Sequence, residues 1–159
     1  MDPVIRYANI DDIDKIIYFI KELAVYEKMQ DEVVTNKDLV KKWIFDLKIA
    51  EVLFVMEQDK EVGFALFFHN YSTFVGKAGI YLEDLYVLPN YRHKGYGKAL
   101  IKKLASICIE RECGRFEWCC LNWNKPSIDF YLSLGAKPMD DWTTYRLDGD
   151  ALINLTKDK

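Results

Sequence analysis

Between Gly79 and Glu112 the chain passes through an apolar strand, a proline, a glycine-containing bend and a long amphipathic helix, in that order. Gly79 to Leu88 is apolar on both faces apart from the pair Glu83-Asp84, so it belongs in the middle of a sheet. Pro89 ends it, because proline has no amide proton to donate to a ladder. From Gly95 to Glu112, the residues Gly97, Leu100, Ile101, Leu104, Ile107 and Cys108 fall on one helical stripe. The bend between them, Tyr91-Arg92-His93-Lys94-Gly95-Tyr96-Gly97-Lys98, carries the spacing Arg-x-x-Gly-x-Gly.

That arrangement suits capture of an anion. The first amides of a helix have no intrahelical acceptor, and the helix dipole is positive there. Glycines at 95 and 97 let the backbone approach a phosphate without a Cβ in the way. Arg92, with Lys94 or Lys98, can neutralise a diphosphate. A P-loop fits worse, because Gly97-Lys98-Ala99 lacks the hydroxyl and the upstream glycine. A Rossmann fingerprint would need a third glycine and an early place in a parallel unit. The bland alternative is that the two glycines only shape a tight turn.

The flanking segments complete an α/β pattern. Val4 to Ala8 reads as a first strand. Ile13, Ile16, Ile17, Ile20, Leu23 and Ala24 form one face of a helix over Asp11–Lys28, with Asn9 or Asp11 as cap. Thr35-Asn36-Lys37-Asp38 resembles a capping box and opens a second helix with Leu39, Val40, Trp43, Ile44 and Leu47 inward. Val52–Glu57 and Glu61–Asn70 read as a hairpin. Arg115–Trp123 reads as a fifth strand, and Thr143–Leu147 as a last one. A short helix lies between them, opened by Asn124-Lys125-Pro126-Ser127 and stopped at Gly135.

Composition removes several function classes. Half of the 159 residues are apolar, which suits a single folded domain, residues 1–159. A net charge of −3 argues against a nucleic-acid binder, which usually carries a basic patch. No apolar run reaches the ~20 residues needed to span a bilayer, and the first residues lack a signal-peptide pattern. A cytoplasmic protein is expected. Cys108, Cys113, Cys119 and Cys120 match no zinc spacing, so no metal is expected and the thiols read as buried and reduced.

At this point the residues resemble the GNAT acetyltransferases, whose signature is Arg/Gln-x-x-Gly-x-Gly/Ala between strand and helix. The spermidine/spermine (diamine) branch is the nearer likeness, over nearly the whole chain. Three stretches carry it: Ile20 to Met29, Tyr81-Leu82-Glu83-Asp84-Leu85-Tyr86-Val87, and Trp123 to Tyr131. The resemblance implies a GNAT fold of the α/β (α+β) class. Its sheet is mixed, mostly antiparallel and twisted, with about six to seven strands and helices on both faces. It splays between strands 4 and 5, where the pantetheine inserts. Acetyl-CoA is implied as donor, and a homodimer with substrate pockets near the subunit interface.

The resemblance also assigns roles. Leu85, Tyr86 and Val87 match the strand that contacts the acetyl and pantetheine groups. Arg92, His93, Lys94, Gly95, Tyr96, Gly97 and Lys98 match the pyrophosphate loop. Asn124, Lys125, Pro126 and Ser127 match further coenzyme contacts. Tyr131 matches the proton donor to the leaving thiolate, and Glu83 the acid that binds the amine and relays its proton. Tyr26 and Glu27 match the part of the first helix that lines the amine pocket, and Asp84, next to Glu83, is a further substrate candidate from its position and not from the resemblance. Near the end the sequence departs from the branch. Thr143-Thr144-Tyr145-Arg146 stands where polyamine enzymes carry an acidic pair before Trp-Arg, with Asp140 and Asp141 as upstream substitutes.

The chemistry explains why these groups are wanted. An alkyl amine with pKa about 10.4 is neutral in roughly one molecule in a few thousand at pH 7. A carboxylate attracts the cation, and a water path then removes its proton. Glu83 interrupts an apolar strand, and a charge there is costly unless used or paired. Strand alternation sends Glu83 and Asp84 to opposite faces, and pairing with basic residues is the alternative for both. A phenol at Tyr131 can donate to a thiolate, the alternative being a core tyrosine beside Phe130 and Leu134. Glu27 ends its helix, where the dipole disfavours a carboxylate, so it is either a binding residue or a solvated one. The expected activity is acetylation of a diamine, polyamine or thialysine/lysine-like amino acid by direct attack. The alternatives are a non-catalytic acyl-CoA sensor and an enzyme acting on a protein amine.

Overall fold

The strand predicted after Gly79 sits inside a five-stranded sheet. The structure is a computed structural model that describes residues 2–157. Strands β1 (Val4–Tyr7), β2 (Glu51–Glu57), β3 (Lys60–Ser72), β4 (Lys77–Val87) and β5 (Phe116–Trp118) lie side by side in chain order. The first four pair antiparallel, and β4 pairs parallel with β5.

Helix α1 (Ile13–Tyr26) follows a reciprocal capping box between Asn9 and Asp12. Arg6 on β1 grips Asp12 at 2.8 and 2.9 Å and Glu61 on β3 at 2.7 Å. Lys15 joins Glu61 at 2.9 Å. Asp12 is buried, and the Arg6 guanidinium holds its carboxyl below the usual carboxylate range. This network ties the first strand, the start of α1 and the β3 turn together.

The two sheet faces follow from alternation. Val52 and Phe54 of β2 join Phe64 of β3 and Ile16, Phe19 and Leu23 of α1 in one core cluster. The Phe19 ring stacks on Phe64 at 5.2 Å and lies 5.8 Å from Phe54. Leu53 and Val55 face the other side, where α3 (Tyr96–Glu110) packs on β2, β3 and β4 and buries Leu100, Leu104 and Ile107. Helices therefore cover both faces, as expected. Between α1 and β2, α2 (Lys37–Val40) starts with Asn36 accepting from the Leu39 amide at 2.9 Å. It continues as a wider π-helical turn over Lys41–Asp46, so the predicted second helix is present without a uniform α-helical bore.

The chain divides into two compact units at Leu121/Asn122, and the whole sheet lies in the first. The second holds α4 (Lys125–Ser133) and α5 (Gly149–Leu155). Two expectations are corrected here. The sheet has five strands and not six to seven, because Thr143–Leu147 is irregular and has no partner strand among the described residues. Trp142 and Tyr145 in that region are 77% and 91% exposed. An alternating pattern becomes a strand only where an edge receives it, and the pattern does not supply the edge. The fifth strand also contracts to Phe116–Trp118, since its pairing with β4 stops there. No helix of the described residues is long and apolar enough to cross a membrane.

Candidate functional site

The bend after β4 is built for exposed amides. Pro89–Tyr91 forms a single tight turn, and then His93 (φ 63°) and Gly95 (φ 87°) are both left-handed. Left-handed residues in such a bend turn successive N–H groups towards one side, forming a concavity for an anion. Gly95 is the cap of α3 and offers no side-chain bond to its first amides. The first helical bond runs from Ala99 N to Gly95 O at 2.9 Å, so the amides of Tyr96, Gly97 and Lys98 precede the helical ladder. A Cβ on Gly95 would meet nothing within 4 Å, which leaves the space over the bend open. Glycine is required at 95 by its φ, and crowding is not the reason. The positive φ of His93, a non-glycine residue, has no signal in the sequence.

The loop side chains are held in specific ways. Arg92 Nε donates to the Val87 carbonyl at 2.9 Å, and its guanidinium lies 4.9 Å from the Tyr26 ring and 5.1 Å from the Tyr86 ring. The Tyr96 hydroxyl donates to Glu57 at 2.7 Å, and Lys94 Nζ lies 3.5 Å from the same carboxylate. The Tyr96 hydroxyl chiefly, and Lys94 in addition, hold the Glu57 carboxyl below its ordinary range. Glu57 was not anticipated from sequence, because it ends β2, some 40 residues before its partners, and only the sheet brings it back. Lys98 and His93 are exposed. This amide concavity, its open approach and its flanking cations fit a diphosphate such as that of acetyl-CoA.

Beside the bend the sheet splays. β4 pairs with β5 only through Ile80–Phe116, Tyr81–Glu117 and Leu82–Trp118. Beyond that point Asp84 to Val87 keep β3 partners and have no β5 partner. On the β3 side Leu66 pairs with Asp84 and Phe67 with Leu82, so Glu83 is the extra residue of a bulge. A bulge bends and twists its strand, and this one sits where β4 parts from β5. At the bulge Glu83 is exposed and Asp84 is half-buried.

Three carboxyl groups gather at the bulge. Burial, then the fields of Glu83 and Glu27, push the Asp84 carboxyl up to about 7. Burial, then Glu83, also raises Glu27, the residue that closes α1. Among the described residues, none of the three is ion-paired, so the alternative of basic partners is not realised. A half-buried acid kept unpaired among other acids is a mark of a functional site. Nearby, the Tyr81 hydroxyl donates to Cys119 Sγ at 3.0 Å, and Cys120 lies in the field of Glu27. All four cysteines are free, but only Cys108 is buried and Cys119 is exposed, which corrects the expectation of uniformly buried thiols.

Asp84 has a consequence for stability. Its folded value, about 7, lies above the ordinary 3.8, so between those values the folded state holds a proton that the unfolded state has lost. Folding stability should therefore be highest below about pH 4 with respect to this group and fall as pH rises towards 7, by roughly 4 kcal/mol at full titration. Urea unfolding at several pH values should show this fall in the unmutated chain and a flatter profile in Asp84→Asn. Equal slopes would mean that Asp84 titrates as an ordinary carboxylate.

The second unit holds the remaining candidates. Asn124 is buried and caps α4, accepting from the Ser127 amide at 3.4 Å, with Pro126 in the first turn. Lys125 pairs with Asp129 one turn on at 3.0 Å, an exposed contact of little energetic weight. Tyr131 is half-buried on α4, its ring 5.5 Å from that of Phe130. Asp140 and Asp141 are exposed.

Comparison with known proteins agrees with this geometry. The acetyltransferase (GNAT) family profile matches residues 19–136. A thialysine N-epsilon-acetyltransferase of Sus scrofa is 35% identical over 164 residues, covering 96% of each chain. An L-ornithine N5-acetyltransferase of Arabidopsis thaliana is 42% identical over 95 residues, covering 60% of this chain and 42% of that one. An integron cassette protein from the mobile metagenome of V. cholerae superposes with a TM-score of 0.83 at 28% identity, over 99% of both chains. With that coverage, and with a splayed sheet and glycine bend in place, the chain belongs to the GNAT family of acetyltransferases, enzymes that transfer an acetyl group to an amine.

Proposed function

We propose that this chain transfers the acetyl group of acetyl-CoA to a primary amine of a small cationic acceptor: a diamine, a polyamine or a thialysine/lysine-like amino acid. The observation that carries this reading is the unpaired carboxylate trio Glu27, Glu83 and Asp84 at the β4 bulge, beside the amide bend. Relatives support it in name: a thialysine N-epsilon-acetyltransferase, an L-ornithine N5-acetyltransferase and a spermidine/spermine N(1)-acetyltransferase-like protein. A cationic acceptor gains from such a trio, since its own charge relieves the mutual repulsion of the acids.

Acetyl-CoA supplies an acyl group on a good thiolate leaving group. Leu85, Tyr86 and Val87 hold the acyl arm through the strand edge that lacks a β5 partner. Arg92 to Lys98 take the diphosphate at the bend, and Asn124 to Ser127 add contacts by their place in the family motif. Glu27 and Asp84 attract the ammonium group, and Glu83 helps take its proton through water. Tyr131 gives a proton to the departing sulfur. The likeness further points to a cytoplasmic homodimer built of a single acetyltransferase domain, whose size light scattering would check.

The test is release of free thiol from acetyl-CoA against amines of graded length and charge. Dicationic and amino-acid amines should turn over, and an uncharged-tail amine of equal length should be poorer by about tenfold or more. The kcat/KM for the amine should rise with pH through about 7, as Asp84 ionises. Tight acetyl-CoA binding without turnover on any amine would sink the proposal.

A further inference from the structure

We infer that Arg92 positions the amine acceptor by clamping the last turn of α1, and with it Glu27, against β4; the inference rests on the acetyl-transfer reading above. Its place in the bend makes Arg92 look like a diphosphate ligand alone. Its side chain, however, turns towards the sheet. Nε donates to the carbonyl of Val87, the last residue of β4, at 2.9 Å. The guanidinium lies 4.9 Å from the Tyr26 ring and 5.1 Å from the Tyr86 ring, and the two rings are 6.1 Å apart.

These contacts join three elements through one planar cation. Tyr86 is buried in β4 opposite Phe64, so it is a fixed platform. Tyr26 is the last residue of α1, and the next residue is Glu27. Glu27 in turn feels Glu83, so a shift of the helix end moves one wall of the carboxylate trio. The C-terminal end of α1 carries the negative pole of its dipole, which favours a cation there. A guanidinium can stack on rings and donate in its own plane at once, whereas an ammonium cannot do both. The signature arginine thus links the coenzyme bend to the acceptor wall.

The test is a mutant cycle on the full chain. Amine KM is measured at saturating acetyl-CoA, and the Kd for CoA by calorimetry. Tyr26→Leu should raise amine KM about tenfold and change the CoA Kd by less than about threefold, and Arg92→Gln should raise amine KM about tenfold at saturating acetyl-CoA on top of any loss of CoA affinity. The double variant should be within about threefold of the worse single one, because both changes remove one shared contact. Arg92→Lys keeps the charge and should still show most of the KM defect, while Tyr26→Phe keeps the ring and should show a smaller defect than Tyr26→Leu.

Other outcomes overturn the clamp. A CoA Kd weakened about tenfold or more by Arg92→Gln, with amine KM unchanged, would make Arg92 a diphosphate ligand only. Defects that multiply to about a hundredfold in the double variant would show that the two side chains act independently. Should Arg92→Gln fail to fold, Arg92→Lys with Tyr26→Leu completes the same cycle. If the unmutated chain turned over no amine, the acetyl-transfer reading itself would fall and take the clamp with it; an active unmutated chain with a CoA-only defect overturns the clamp alone.

Discussion

Tyr131→Phe should lower kcat by about a hundredfold or more while changing the Kd for CoA by less than about threefold. The expectation follows from what one oxygen can do. In acyl transfer from a thioester, negative charge collects on sulfur as the carbon–sulfur bond breaks. A phenol aimed at that sulfur shares its proton only as the charge develops, so its effect falls on the transition state and spares coenzyme binding. Phenylalanine keeps the ring contact with Phe130, 5.5 Å away, and removes only the hydroxyl. Stopped assays at saturating amine and acetyl-CoA give kcat, and calorimetry gives Kd. If kcat fell by less than about threefold, another group or water would protonate the thiolate. If both constants collapsed together with the far-ultraviolet dichroism of α4, the residue would be a structural one.

The second large effect is on stability. Phe19→Ala should lower the unfolding free energy by about 3–5 kcal/mol. Phe19 is 1% exposed, and its ring is stacked on Phe64 and tilted against Phe54, so alanine leaves a hole that three elements line. The packed α1 face cannot collapse into it without moving the Asn9–Asp12 cap or the Arg6 network that anchor the helix start. In thermal unfolding this corresponds to a Tm lower by roughly 10 °C for a chain of this size. A loss below about 1 kcal/mol in urea unfolding would mean that α1 repacks freely, and that the ion-pair network does not fix its place.

Much of the site was legible in the residues. The bend at Arg92–Gly97 announces itself because proline, glycine and a long apolar stripe are each punctuation with a local cause. Asn9 and Asn124 were readable as caps, since a side chain that bonds an amide two or three residues on needs no tertiary partner; the box read from Thr35 to Asp38 starts one residue later, with Asn36 and not Thr35 as the cap. Glu83 stood out because a charge in an apolar strand is expensive. The bulge that makes Glu83 an extra residue was hidden, as were the latch of Tyr96 and Lys94 on Glu57 and the inward turn of Arg92. Each depends on a partner far along the chain. The last strand was misread for the same reason: Thr143–Leu147 has the alternation of a strand but, among the described residues, no strand beside it.

What the sequence alone determined is therefore local: where helices start and stop, which strand is buried on both faces, and which glycine bend opens the long helix. These follow from backbone sterics and side-chain periodicity within a few residues. The tertiary structure decided which carboxylates share a field, where β4 parts from β5, and that Asp84 holds its proton to about pH 7. Burial and Coulomb fields arise only when distant segments exclude water from one another, and no window of sequence contains that information.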